Sequence, residues 1–189
     1  EVKVSIEGFW YRTILWEVPI MALICELFYQ ETKQERHADE LVIQTVEDKI
    51  KKYHDLDIVF AEFGTRRRHS YEVHDLVVKT LKEKGEGTFI GTSNVYLAMK
   101  YNTKPIGTHA HEWFMFHAAK YGYKMANNMG LEHWTEVYRG DLGIALTDTY
   151  TTEVFFEQFD KKFAKLFDGV RHDSGDPLEF GDKTIAHYQ

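Results

Sequence analysis

Residues 58–94 read IVFAEFGTRRRHSYEVHDLVVKTLKEKGEGTFIGTSN, and this stretch decides the fold. It opens on the apolar run Ile58–Phe63, which has strand character, and Gly64 lets the chain turn sharply after it. Ser70–Lys84 then reads as a helix, with Ser70 as its N-cap and Glu72 in the first turn. Thr88–Gly91 is a second short strand that runs into Thr92, Ser93 and Asn94. Strand, helix and strand in one such stretch make a parallel β-α unit. Right-handed crossovers bring the strand C-termini of such units to one side.

The rhythm continues downstream. Helix Asn94–Tyr101, strand Pro105–Gly107 and a long helical region Glu112–Asn127 follow, and after a break at Met129-Gly130 comes helix Leu131–Tyr138. Strand Leu142–Leu146, helix Thr151–Phe167, strand Gly169–Arg171 and helix Pro177–Tyr188 complete the pattern. Upstream, Val2–Ile6 alternates like a strand, and Phe9–Leu15 is aromatic and β-branched, also a strand signature. Pro19 begins a helical pattern through Tyr29. Glu40–Lys52 is an amphipathic helix with Leu41, Ile43, Val46 and Ile50 near helical spacing. The first 55 residues fall outside the β-α rhythm, which predicts a domain division into 1–55 and 56–189.

Each apolar run ends in a polar motif: EFGTRRRHS (62–70), IGTSN (90–94), IGTHAHEW (106–113), ALTDT (145–149) and VRHDSGDP (170–177). In a (β/α) barrel the active-site residues come from the C-terminal ends of several strands. Five successive polar strand ends therefore predict one site built by five loops.

Composition narrows the partners. The net charge of −7 argues against a general nucleic-acid-binding surface, while Arg66-Arg67-Arg68-His69 suits a small anion. A single cysteine, Cys25, excludes a disulfide framework; it reads as a buried small hydrophobe in a reducing compartment. No single apolar run reaches the roughly 18 residues of a membrane span, and no signal peptide is visible. The chain opens at Glu1 without a methionine and ends within a helix-like run, so both ends read as cut from something longer. A closed barrel takes eight strands and typically about 250 residues.

The motifs differ in what they offer. One arginine of Arg66–Arg68 is read as functional, because a guanidinium forks onto carboxylate or phosphate, and at least one as structural. Thr92 and Ser93 present small hydroxyls at a helix start, a mild receptor for an anion or amide. His109 and His111 alternate, so on an extended strand end they face the same way. They read either as an H-x-H metal pair, as in barrel hydrolases, or as one catalytic histidine with a structural neighbour. Asp148 and Asp173 can bind Mg²⁺ or stabilise positive charge, Arg171 adds anion binding, and Asp176 before Pro177 is as good a helix cap as a catalyst. Together these groups suit an anionic phosphorylated substrate, a metal and a cationic transition state.

In this order and spacing, EFGTRRRHS, GTSN, GT-x-AHEW, ALTDT and RHDSGDP, with ILWEVPIMALICEL (14–27), resemble the nicotinate phosphoribosyltransferase family. The resemblance implies an irregular α/β barrel of the type II phosphoribosyltransferase kind. On that reading 56–189 holds the first β-α units of an incomplete barrel, and 1–55 part of an N-terminal α+β domain. The implied activity joins nicotinate to phosphoribosyl pyrophosphate, giving nicotinate mononucleotide and pyrophosphate for NAD salvage, with ATP hydrolysed as co-substrate and Mg²⁺ as cofactor. The implied setting is a cytoplasmic homodimer without nucleic-acid or membrane partners. Phe63 is implied to stack on the pyridine ring with Arg66 beside it, and Thr92, Ser93 and Arg171 to bind substrate. His111 is implied to be phosphorylated by ATP, and Asp148 and Asp173 to act near the ribose and Mg²⁺. A neutral Ser93, where the related nicotinamide enzyme carries an aspartate, favours the acid over the amide. The family's later Ser-Asp-Asn motif and Gly-rich phosphate loop do not occur in these 189 residues, so the chain alone is expected to be inactive. The alternatives are nicotinamide phosphoribosyltransferase and a metal-dependent barrel hydrolase using His109 and His111.

Overall fold

The structure, a computed structural model, describes residues 3–189; the start of the expected strand Val2–Ile6 lies outside the described residues, and residues 3–6 form no regular element. The chain divides into two compact units, Glu1–Ile106 and Gly107–Gln189.

In the first unit, helix α1 (Trp10–Thr13) passes through a 3-10 turn, Ile14–Trp16, into α2 (Glu17–Glu31). This corrects the strand expected over Phe9–Leu15. Aromatic and β-branched residues favour strands only where a pleated surface packs them. Here Tyr11, Leu15 and Trp16 are exposed, with no such surface. Pro19 is tolerated because it lies in the first turn of α2, whose amides need no helical acceptor. The run Trp10–Glu31 spans 22 residues and is long and apolar enough to cross a membrane by length and composition. The reading of single apolar runs missed this because Glu17 and Glu26 interrupt it. Those carboxylates face arginines of the same unit: Arg66 lies 3.2 Å from Glu17, and Arg68 3.4 Å from Glu26. Cys25 is half-buried rather than buried, its Sγ 3.4 Å from the Arg66 carbonyl.

Helix α3 (Asp39–Asp55) packs on α4 (Tyr71–Lys84), beside strands β1 (Phe60–Glu62) and β2 (Phe89–Thr92). Val46 and Ile50 of α3 bury with Leu81 of α4 against Phe60, Val77 and Phe89. Helix α3 thus packs with the β-α elements that follow it, since an amphipathic helix goes where its apolar stripe is buried. Strands β1 and β2 pair in parallel, Glu62 opposite Thr92. The expected strand 105–107 shrinks to one parallel bridge between Pro105 and Thr92, as proline has no amide to extend a ladder. Short helix α5 (Val95–Lys100) follows β2.

The second unit holds α6 (His111–Tyr121), a 3-10 turn Tyr123–Met125, α7 (Ala126–Tyr138), β3 (Ile144–Leu146), α8 (Thr152–Gln158), α9 (Lys161–Leu166), β4 (Gly169–Arg171) and α10 (Pro177–Tyr188). Strands β3 and β4 are parallel, Leu146 opposite Arg171. The core gathers Phe114, Leu131, Ala145, Leu146, Phe155, Phe159, Phe163 and Phe167. The expected single helix 151–167 is two, because Asp160 caps α9 by accepting from Lys162 N at 2.9 Å and Phe163 N at 3.2 Å. The four-residue spacing of the phenylalanines carries across this break.

The helix break expected at Met129-Gly130 falls instead at Gly122, whose φ of +85° ends α6. Gly130 lies inside α7, where a Cβ would sit 2.8 Å from Cδ1 of the buried Phe114 ring. Its role is close helix packing, not chain reversal. Gly130→Ala gains about 1 kcal/mol of helix propensity, but pressing on a buried ring costs about 1–3 kcal/mol. A net loss is expected, larger for Gly130→Val, read as a lowered urea midpoint; a raised midpoint for Gly130→Ala contradicts the packing role.

Candidate active site

At the C-terminal ends of β3 and β4 the second unit assembles one polar cluster. His111, the first residue of α6, places Nε2 3.2 Å from Asp148 Oδ1 and 3.6 Å from Asp173 Oδ2. Asp148 follows β3, and its other oxygen accepts from the Ser174 hydroxyl at 2.5 Å. Asp173 follows β4 and is held by Arg171 Nη2 at 3.0 Å, while Arg171 Nη1 donates to the His109 carbonyl at 2.9 Å. Arg171 thus braces the cluster with both arms. One ligand atom from each of His111, Asp148 and Asp173 lies within 4.8 Å of the others. A cavity of about 540 Å³ opens beside Asp148 and Ser174, with Thr151 and Lys183 in its wall.

The His109 ring takes no part. The residue is 2 % exposed, with Trp134, Phe114 and Phe167 around the ring. Burial first, and the nearby Arg171 charge second, hold its pKa down to about 4, so it is a neutral core group near pH 7. The two histidines part at the start of α6: His111 is its first residue, whereas His109 lies before the extended N-cap Ala110 with its ring buried. This removes the H-x-H metal pair, and with it the barrel hydrolase that needed both rings. Asp176 is a cap, accepting from Leu178 N at 2.8 Å and Glu179 N at 3.1 Å. Those amides, Glu179 first, hold its carboxyl below the usual range.

In the first unit the two strand ends are built around Glu62. Phe63 is 46 % exposed and flanks a mostly apolar groove of about 440 Å³ running along α3 and β1. Arg66 is exposed and pairs with Glu17, whereas Arg68, largely buried against Glu26, is the structural arginine. Ser93 donates its amide to the Glu62 carbonyl at 2.8 Å and is half-buried. Thr92, expected as a substrate contact, is wholly buried, and its hydroxyl is engaged by Glu62 and by the Asn94 amide. Glu62, His74 and Ser174 were not singled out in the sequence. Glu62 and Ser174 stood inside the quoted motifs, but nothing in their neighbours told an inward carboxylate or a bridging hydroxyl from a surface one.

The chain is thus of the parallel β-α class, with its acid–histidine cluster at strand C-termini. The model of the nicotinate phosphoribosyltransferase (NAPRTase) family matches residues 58–189. The chain belongs to the nicotinate phosphoribosyltransferase family. It is 64 % identical over 187 residues to the nicotinate phosphoribosyltransferase of Chromohalobacter salexigens, covering 99 % of this chain and 48 % of that protein. It is 50 % identical over 189 residues to that of Desulforapulum autotrophicum, covering all of this chain and 49 % of the relative. Among solved structures, the nicotinate phosphoribosyltransferase from Porphyromonas gingivalis superposes with a TM-score of 0.90 at 48 % identity, over 96 % of this chain and 46 % of that one. The enzyme from Vibrio cholerae gives 0.87 at 40 % identity, over 96 % and 44 %. The chain spans about half the length of the curated relatives it matches.

Proposed function

We propose that the full-length protein is a nicotinate phosphoribosyltransferase, joining nicotinate to phosphoribosyl pyrophosphate with ATP as co-substrate. The observation that carries this reading is His111 held between Asp148 and Asp173 at the β3 and β4 ends, in a chain of this family. A carboxylate only accepts hydrogen bonds, so facing Asp148 fixes the proton on His111 Nε2 and leaves the lone pair on Nδ1. Nδ1 then takes the terminal phosphoryl group of ATP as its bond to the bridging oxygen breaks, releasing ADP. In the transfer itself the nicotinate ring nitrogen bonds to ribose C1′ as the C1′–O bond to pyrophosphate breaks. The nitrogen is already a nucleophile, so no strong base is required. Asp148 and Asp173 offset the positive charge that builds on the ribose.

Oxygen donors from two carboxylates suit Mg²⁺, and Asp148 and Asp173 are close enough to hold it between them. When bound, the ion supplies charge neutralisation for the departing pyrophosphate. Phe63 offers a face for the pyridine ring, with Arg66 for its carboxylate. The neutral Ser93 favours the acid over the amide. The chain supplies the first β-α units of an irregular type II phosphoribosyltransferase barrel, after part of an N-terminal domain over 1–55, in a cytoplasmic homodimer. Chromatographic detection of product with the full-length protein tests the reaction. Nicotinate mononucleotide is expected, with ATP raising the yield and nicotinamide a poor substitute. Preference for nicotinamide, or no mononucleotide from either, overturns the assignment.

A further inference from the structure

Glu62 is a buried carboxylate, 9 % exposed, at the C-terminal end of β1. One oxygen accepts from the Gly64 amide, where a Cβ would crowd that oxygen at 2.7 Å. The other accepts from the Thr92 hydroxyl at 2.6 Å and lies 3.0 Å from His74 Nε2 of α4. His74 is itself buried, 4 % exposed, and sets this ring nitrogen directly against the carboxylate. Burial pushes the Glu62 carboxyl up, but His74, Thr92 and Gly64 together outweigh it, and the group stays ionised below the ordinary range.

The contacts continue into a closed circuit. Thr92 Oγ1 accepts from the Asn94 amide at 3.0 Å, and Asn94 Nδ2 donates to Thr65 Oγ1 at 3.3 Å, beside Gly64. The Glu62 carbonyl accepts from the Ser93 amide at 2.8 Å. One carboxylate therefore ties the loop carrying Phe63 and Arg66 to the loop carrying Ser93. A carboxylate buried only for stability in this place would be poorly chosen, because a buried charge seldom outperforms apolar packing. Its use is better sought in holding two loops at fixed separation.

We propose that Glu62, braced by Gly64, Thr92 and His74, is a positioning residue that sets the spacing between Phe63–Arg66 and Ser93 and so governs affinity for the pyridine acid rather than the phosphoribosyl donor. The inference rests on the nicotinate reading above. Steady-state kinetics of the full-length protein test it, with Glu62→Gln, His74→Leu and His74→Gln compared with wild type. Glu62→Gln loses the charge that three partners address, and KM for nicotinate is expected to rise roughly tenfold or more. KM for phosphoribosyl pyrophosphate should stay at the wild-type value. His74→Leu should act in the same direction, and His74→Gln, which keeps a donor toward Glu62, should restore most of the loss. If Glu62→Gln does not fold, the two His74 variants decide. An unchanged KM for nicotinate, or parallel rises for both substrates with a lowered melting temperature, overturns the positioning role while leaving the enzyme assignment intact. A wild-type protein that makes no nicotinate mononucleotide removes both.

Discussion

His111→Asn in the full-length protein is expected to abolish the stimulation of turnover by ATP, leaving only an uncoupled rate. Asparagine places an amide where imidazole has Nδ1, so the variant loses the nucleophilic nitrogen and the reach of Nε2 to Asp148 together. Losing a covalent nucleophile removes a whole reaction path rather than weakening one contact, and a fall of roughly 10²-fold or more in ATP-dependent kcat is the expected scale. His111 is half-exposed at the start of a helix, so its replacement should cost little stability. Rates with and without ATP read the result. ATP stimulation that survives the change contradicts the phosphohistidine.

Asp148→Asn is expected to be more general in its damage. Asp148 meets both the His111 ring and the Ser174 hydroxyl, so its two oxygens each receive a donor. The amide keeps one acceptor and presents a donor where an acceptor stood, so Ser174 must turn its hydroxyl to accept if His111 is still to donate. It also deletes the negative charge proposed to face the ribose as positive charge develops. Removing one such preorganised electrostatic group costs on the order of 10²–10³ in kcat. Unlike the His111 change, this loss should appear in both the coupled and the uncoupled rates. Equal rates for wild type and variant without ATP would confine Asp148 to orienting the histidine.

Much of this was legible in the sequence because it depends on local chemistry. Ser70 caps α4, Asn94 caps α5 and Asp176 caps α10, each accepting backbone amides as residues of those types do. Strand ends carried the polar motifs, and Asp148, Asp173 and His111 were recognisable from them. What was not legible depends on contacts between distant segments. Gly130 looked like a helix stop because its sequence neighbours say nothing of the Phe114 ring it must admit. Phe9–Leu15 looked like a strand because aromatic and branched residues are scored without the surface they lack. Whether His109 and His111 act as a pair or singly was open in the sequence, because the aromatic rings that enclose His109 come from α6, α7 and the end of α9. Glu62 passed for one more carboxylate because its burial is created by α4 and β2, thirty residues and fewer away along the chain.

In the proposed reaction His111, held by Asp148 and Asp173, carries the phosphoryl group of ATP. Incubating the full-length protein with ATP labelled in its terminal phosphate and mapping the acid-labile label by peptide mass spectrometry tests this most directly. Label is expected on His111, discharged when nicotinate and phosphoribosyl pyrophosphate are added. Label on another residue, or none under conditions where ATP stimulates turnover, would contradict it.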